Sequence, residues 1–125
     1  MHVKKHVVNV TTASDGSAEA YTNEPLNGQI LKVMYNKASS NAFDDGVDIS
    51  IRTEETGQAL WEEDDVNASK SVSPVEKRQD SSGDDATYDG TNAIYGSICA
   101  AFERLKISIT DGGSKKDGQF VILEG

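Results

Sequence analysis

The chain has 125 residues, and 12 Lys and Arg against 21 Asp and Glu give a formal charge of −9. That length fits one domain, and no apolar run approaches the roughly 20 residues of a membrane-spanning helix. The stretch from Met1 to Val8 lacks the apolar segment of a secretory signal. The lone Cys99 closes neither an internal disulfide nor a zinc cluster, and the acid excess disfavours nucleic-acid binding, which needs a basic surface.

Eleven Gly, two Pro and clusters of Asn, Asp and Ser punctuate the chain at short intervals. That rhythm predicts an all-β fold, a single-domain antiparallel β-sandwich or jelly roll of about seven to nine short strands. Residues 3–12 are rich in β-branched side chains and read as the first strand, 14–17 as a turn and 18–22 as the second strand. Residues 24–28 read as a loop, because Pro25 cannot donate to a central ladder. In 29–36, Leu31, Val33 and Tyr35 fall on one face and Ile30, Lys32 and Met34 on the other. A polar loop over 39–46 leads to the cleanest alternation, with Val47, Ile49 and Ile51 inward and Asp48, Ser50 and Arg52 outward. Residues 54–57 predict a hairpin turn with Gly57 at its end, and 58–61 return.

Residues 62–92 are rich in Asp, Glu, Ser and Gly, with Val72, Val75 and Tyr88 as the few apolar anchors. A strand near 71–77 and a long loop over 79–92 are expected. A loop of that length in a compact domain is usually functional or held by a partner. Residues 94–102 fit a buried strand or a short helical turn, and their length favours the strand. Leu105, Ile107 and Ile109 then alternate with Lys106, Ser108 and Thr110; a loop over 111–118 carries Gly112 and Gly113, and 119–124 form a closing strand.

Asp44, Asp45 and Asp48 place three carboxylates near one turn, the kind of oxygen-rich loop calcium favours, but the spacing is not that of an EF-hand. A solvated turn is the favoured reading, so no metal and no cofactor are expected. Glu62, Glu63, Asp64 and Asp65 form an acidic run after Trp61 that suits a guarded sheet edge or a partner-facing patch better than acid–base chemistry. His2 and His6 share a strand face but lie too far apart for one metal. No nucleophile elbow, zinc helix, phosphate loop or dinucleotide fingerprint is present, and no enzyme is expected. If Leu60 points inward, Trp61 points outward, where a Trp suits the centre of an interface. With Val72, Val75 and Tyr88 and the acidic run, it completes the candidate interface.

Several stretches are familiar in combination: residues 6–12 (HVVNVTT) with Asp15-Gly16-Ser17-Ala18 and Ala20-Tyr21-Thr22, then Gly28-Gln29-Ile30, then Asp45-Gly46-Val47-Asp48-Ile49. Further on come residues 53–58 (TEETGQ) with Trp61, Val66-Asn67-Ala68-Ser69, Arg104-Leu105-Lys106-Ile107, Gly112-Gly113 and Gly118-Gln119-Phe120. The pattern resembles a family of small tailed-bacteriophage proteins of about this length, usually without an assigned role and encoded among the head and tail morphogenesis genes. The likeness covers most of the chain and is weakest over 70–92, where this sequence is more acidic. The family carries no catalytic residues to transfer.

The resemblance implies a non-enzymatic virion structural protein, assembled in the host cytoplasm and resident in the virion. Its first placement is a capsid decoration or cement protein on the outer head shell; the second is a head–tail connector, neck or tail accessory protein. Partners would be the major capsid or neck and tail proteins, with a homo-oligomer in the particle and neither nucleic acid nor membrane bound. A different class, a free-standing carbohydrate- or calcium-binding sandwich, stays open on Trp61 and the four Tyr.

Overall fold

The computed structural model describes residues 2–125. In chain order its strands are β1 (Lys4–Thr11), β2 (Ala18–Tyr21), β3 (Leu26–Lys37), β4 (Val47–Thr53), β5 (Ala59–Val66), β6 (Lys70–Val72), β7 (Val75–Lys77), β8 (Tyr95–Ser97), β9 (Cys99–Glu103), β10 (Leu105–Thr110) and β11 (Asp117–Glu124). There is no helix among the described residues. The strand ladders are antiparallel throughout.

Sheet A has the order β1-β11-β3-β6, and β9 pairs with the first part of β3. The Gln29 N–H bonds Gly125 on the β11 side, and the next N–H, of Ile30, bonds the Ile98 carbonyl. Successive strand N–H groups point to opposite sides, so β9 and β6 share the same edge of β3. Sheet B has the order β2-β10-β4-β5, and β7 with β8 forms a separate two-stranded arm.

The period-two patterns carry the sandwich. Val47, Ile49, Ile51, Leu105, Ile107 and Ile109 are all buried, and they face Val8, Val10, Val33, Phe120 and Ile122 of sheet A across the core. Tyr35 stacks between Phe120, with ring centroids 5.2 Å apart, and Phe43 at 6.0 Å. Ion pairs link the two sheets: Lys4 with Glu24 where β1 adjoins β2, and Lys70 of β6 with Glu63 of β5. No buried side-chain nitrogen or oxygen lacks a hydrogen-bond partner among the described residues.

The all-β sandwich holds, with departures that have local causes. Nine strands build the two sheets and two more the arm, against the seven to nine expected. The loop expected over 24–28 is largely strand: β3 begins at Leu26, one residue past Pro25, so the proline costs no ladder bond. Gly28 makes this entry possible, at φ +144 with the Gly125 carbonyl where a Cβ would stand. β5 runs on through the acidic residues to Val66. The loop expected over 79–92 is two tight turns. Asp80 Oδ1 accepts the Ser82 and Asp84 N–H groups, and Asp89 Oδ1 accepts those of Thr91 and Asn92. Such Asx turns substitute side-chain acceptors for a ladder. Residues 94–102 are extended, and the helical alternative is excluded.

Candidate functional site

Trp61 is 6% exposed and belongs to the core, as does Leu60. The parity that would turn one of them outward fails because the pairing slips between Ile51 and Arg52. Trp61 sits opposite Ile51 and Ala59 opposite Arg52, leaving Leu60 as the extra residue of a bulge. Trp61 is therefore core rather than exposed anchor. Val72 is half-buried and packed on the same core.

The acidic run is dispersed. Glu62 bonds the Arg52 Nε at 2.6 Å on the outer face of sheet B. Glu63 lies between Lys70 and the Trp61 indole, and the Lys70 ammonium holds its carboxyl below the usual range. Asp64 lines a shallow groove of about 380 Å³ with Asp48, Ser50, Glu62 and Ser108. Asp65, at φ +58, donates its N–H to Asp48 Oδ1 at 3.0 Å. Asp45 reaches Lys37 Nζ at 3.4 Å, while the Asp44 carboxylate lies beneath Gly113. Asp44, Asp45 and Asp48 thus hold three separate tasks and do not converge. Among the described residues no cluster of three or more His, Cys, Asp or Glu has metal-binding geometry. His6 is buried on β1 and bonds Glu124 at 2.8 Å, and Glu124 also accepts the Asn27 N–H at 2.8 Å. Burial pushes the Glu124 carboxyl up, and these bonds more than offset it, so it titrates below its ordinary value.

The outer face of sheet A has two zones. One is an amide ladder in which Asn36 donates to Gln119 at 3.1 Å and Gln119 to Asn9 at 3.3 Å. Beside it a groove of about 500 Å³ runs past Thr11, Lys37 and Asp117. The other is an apolar row, Val7–Val121–Met34, read straight across the register of β1, β11 and β3. The adjoining row is Lys5–Leu123–Lys32.

The largest anomaly lies at β8 and β9. Seven large apolar residues stand exposed among those described, and five of them, Val75, Tyr88, Ile94, Tyr95 and Phe102, fall between residues 75 and 102. Ile98 and Ala100 point into the core, so the alternate residues Tyr95, Ser97, Cys99 and Ala101 form an outward row. Val75 pairs with Ser97 and flanks that row. Strict alternation would bury Phe102 and expose Glu103. A bulge reverses this: Leu26 pairs with Glu103 and Asn27 with Ala101, and the intervening Phe102 takes φ +56 and is 70% exposed. The left-handed region costs a residue with a Cβ roughly 1–2 kcal/mol.

The bulge has a purpose on its inner side. Glu103, 3% exposed, accepts the N–H groups of Glu55 at 2.8 Å and Thr56 at 3.0 Å and the Thr56 hydroxyl at 3.0 Å, pinning the β4–β5 turn. The Thr56 N–H, with these companion bonds, holds the Glu103 carboxyl below its ordinary value against the opposing effect of burial. Sequence reading missed Phe102 and Tyr95 because a bulge leaves no periodic trace. The one available signal was a charged Glu in an otherwise apolar strand, which alternation assigns to solvent.

No family model matches the chain, and no curated protein matches it either. Among solved structures it is similar to the crystal structure of FlhE, with 9% identity and a TM-score of 0.49 over 99% of this chain and 98% of that one. None of these comparisons supports the expectation of a capsid decoration protein or head–tail connector resident in the virion; that expectation is corrected and not carried further.

Proposed function

We propose that this chain is a non-enzymatic protein-binding module that docks its partner on the outward row of β8 and β9, headed by Phe102. The observation that carries the reading is Phe102 itself. A Phe at positive φ and largely in water is unfavourable in backbone and in solvation alike. The turn-pinning role of Glu103 accounts for the bulge, and it places no demand for an aromatic ring on the outer side. A side chain that gains little within its own molecule gains from a contact outside it, and exposed aromatics surrounded by smaller apolar groups are the usual anchors of interfaces. The neighbouring Ser97, Cys99 and Ala101 are small, and leave a partner room to close on the ring.

Cys99 stands in this row and is the chain's one cysteine. Its rate of modification by a maleimide therefore reports whether the row is covered. In cells producing the full chain, Cys99 should react at least tenfold more slowly than in the dilute purified protein, and Phe102→Asn should abolish the difference. Equal reactivity in cells and in dilute solution would refute the docking surface.

A further inference from the structure

The outer face of sheet A is the chemical counterpart of the arm. Its apolar row, Val7, Val121 and Met34, stands beside Leu123, which lies between Lys5 and Lys32. Val121 is 9% exposed and yet lies outside the core cluster, since Phe120 and Ile122 take the inward positions on either side of it. Lys5 and Lys32 sit two strands apart, about 10 Å across the sheet. Neither has a carboxylate within ion-pair distance among the described residues, a state they share with Lys115 and Lys116 of the β10–β11 loop, whereas Lys4, Lys37, Lys70, Lys77 and Lys106 are all paired. In a chain of charge −9, two free cations flanking Leu123 beside an apolar row make a local reversal of sign.

The arm carries the opposite sign. From Val75 to Ser97 it holds Lys77 and Arg78 against Glu76, Asp80, Asp84, Asp85 and Asp89, which is 2 − 5 = −3. The two cations are already engaged within the arm, Lys77 with Asp85 at 3.5 Å and Arg78 with Glu76 at 3.8 Å. The uncompensated charge is therefore acidic and lies at the two Asx turns. The apolar row of β8 and β9 runs on from the base of the same arm.

Resting on the reading of β8 and β9 as a docking surface, we infer that the partner is a second copy of this chain, which presents the Lys5–Leu123–Lys32 face of its sheet A. Apolar row then meets apolar row, and the acidic arm of one copy meets the unpaired cations of the next. The contact is heterologous: each copy offers one arm and one receiving face. Such contacts propagate into a closed ring or an open filament, where an isologous contact would stop at a symmetric dimer. The attraction is between exposed charges and weakens as salt screens it.

Sedimentation velocity on the purified full chain, over a hundredfold concentration range at low and high salt, tests the inference. Wild type should grow beyond a dimer with concentration, and less so at high salt. Two variants each lose one surface: Lys5→Glu with Lys32→Glu on the receiving face, and Tyr95→Ser with Phe102→Asn on the arm side. Each alone should weaken self-association at least tenfold while keeping the wild-type melting temperature. Mixed, they should form a one-to-one complex that grows no further, because the mixture holds one intact donor and one intact receiver. Wild type that stays monomeric throughout overturns the inference and leaves the docking surface to the Cys99 measurement. Variants that fail to complement each other also overturn it, since a symmetric arm-to-arm contact gives that result.

Discussion

Glu103→Gln tests how the bulge in β9 is held. The carboxylate accepts two backbone N–H groups and one hydroxyl from the β4–β5 turn. Bonds to a charged acceptor contribute roughly 1.5–3 kcal/mol each, and neutral ones about 1. Gln keeps one acceptor oxygen for the two N–H groups and loses the charge, so the variant should be about 1–2 kcal/mol less stable at neutral pH by urea titration. The pH dependence separates this cause from a packing defect. The folded-state pKa of Glu103 lies below its unfolded value. Its contribution is therefore complete above the ordinary carboxylate value of about 4.3 and disappears as pH falls through the lower, folded one. Below that point the wild-type carboxyl is protonated and resembles the amide, so the stability gap between wild type and Glu103→Gln should close. A gap of the same size at every pH, or none at neutral pH, would refute this account of the turn.

Gly28→Ala should cost about 2–4 kcal/mol in chemical denaturation, from positive-φ strain and loss of the paired Gln29 and Gly125 bonds. Its new Cβ would stand 2.5 Å from the Gly125 oxygen. Trp61→Ala should cost about 3–5 kcal/mol as a core truncation, measured on the protein at high dilution; a loss below about 1 kcal/mol would return Trp61 to the surface. Phe102→Asn should stay within roughly 1 kcal/mol of wild type, because relief of backbone strain offsets the small buried part of the ring. A thermal melt showing a core-sized loss would place that ring inside the domain.

Strands with inward β-branched residues at every second position, such as Val47–Ile49–Ile51 and Leu105–Ile107–Ile109, were legible because burial alone sets their pattern. Elements governed by a single hydrogen-bonding side chain were not. The two turns of the arm depend on Asp80 and Asp89, whose acceptor roles look like any acidic loop in the sequence. Bulges erase parity altogether: Leu60 with Trp61, and Phe102 with Glu103, each reverse the face that alternation assigns. Most of the fold was therefore readable and the proposed docking surface was not, since that surface is built where the period breaks.

The pairing of β1 with β11 has a consequence for how the chain reaches this structure. Lys4 lies opposite Glu124, so the ladder joins residues 120 positions apart (124 − 4), and β11 also separates β1 from β3. During synthesis, at roughly 5–20 residues per second, the β4–β5 hairpin can close as soon as it emerges. β1 instead waits, with its apolar face unmatched, until every strand up to β11 has been made. Lys4, Lys5 and His6 then serve a second purpose. They open the waiting strand with polar and charged side chains, a recognised guard against premature edge-to-edge pairing between nascent chains.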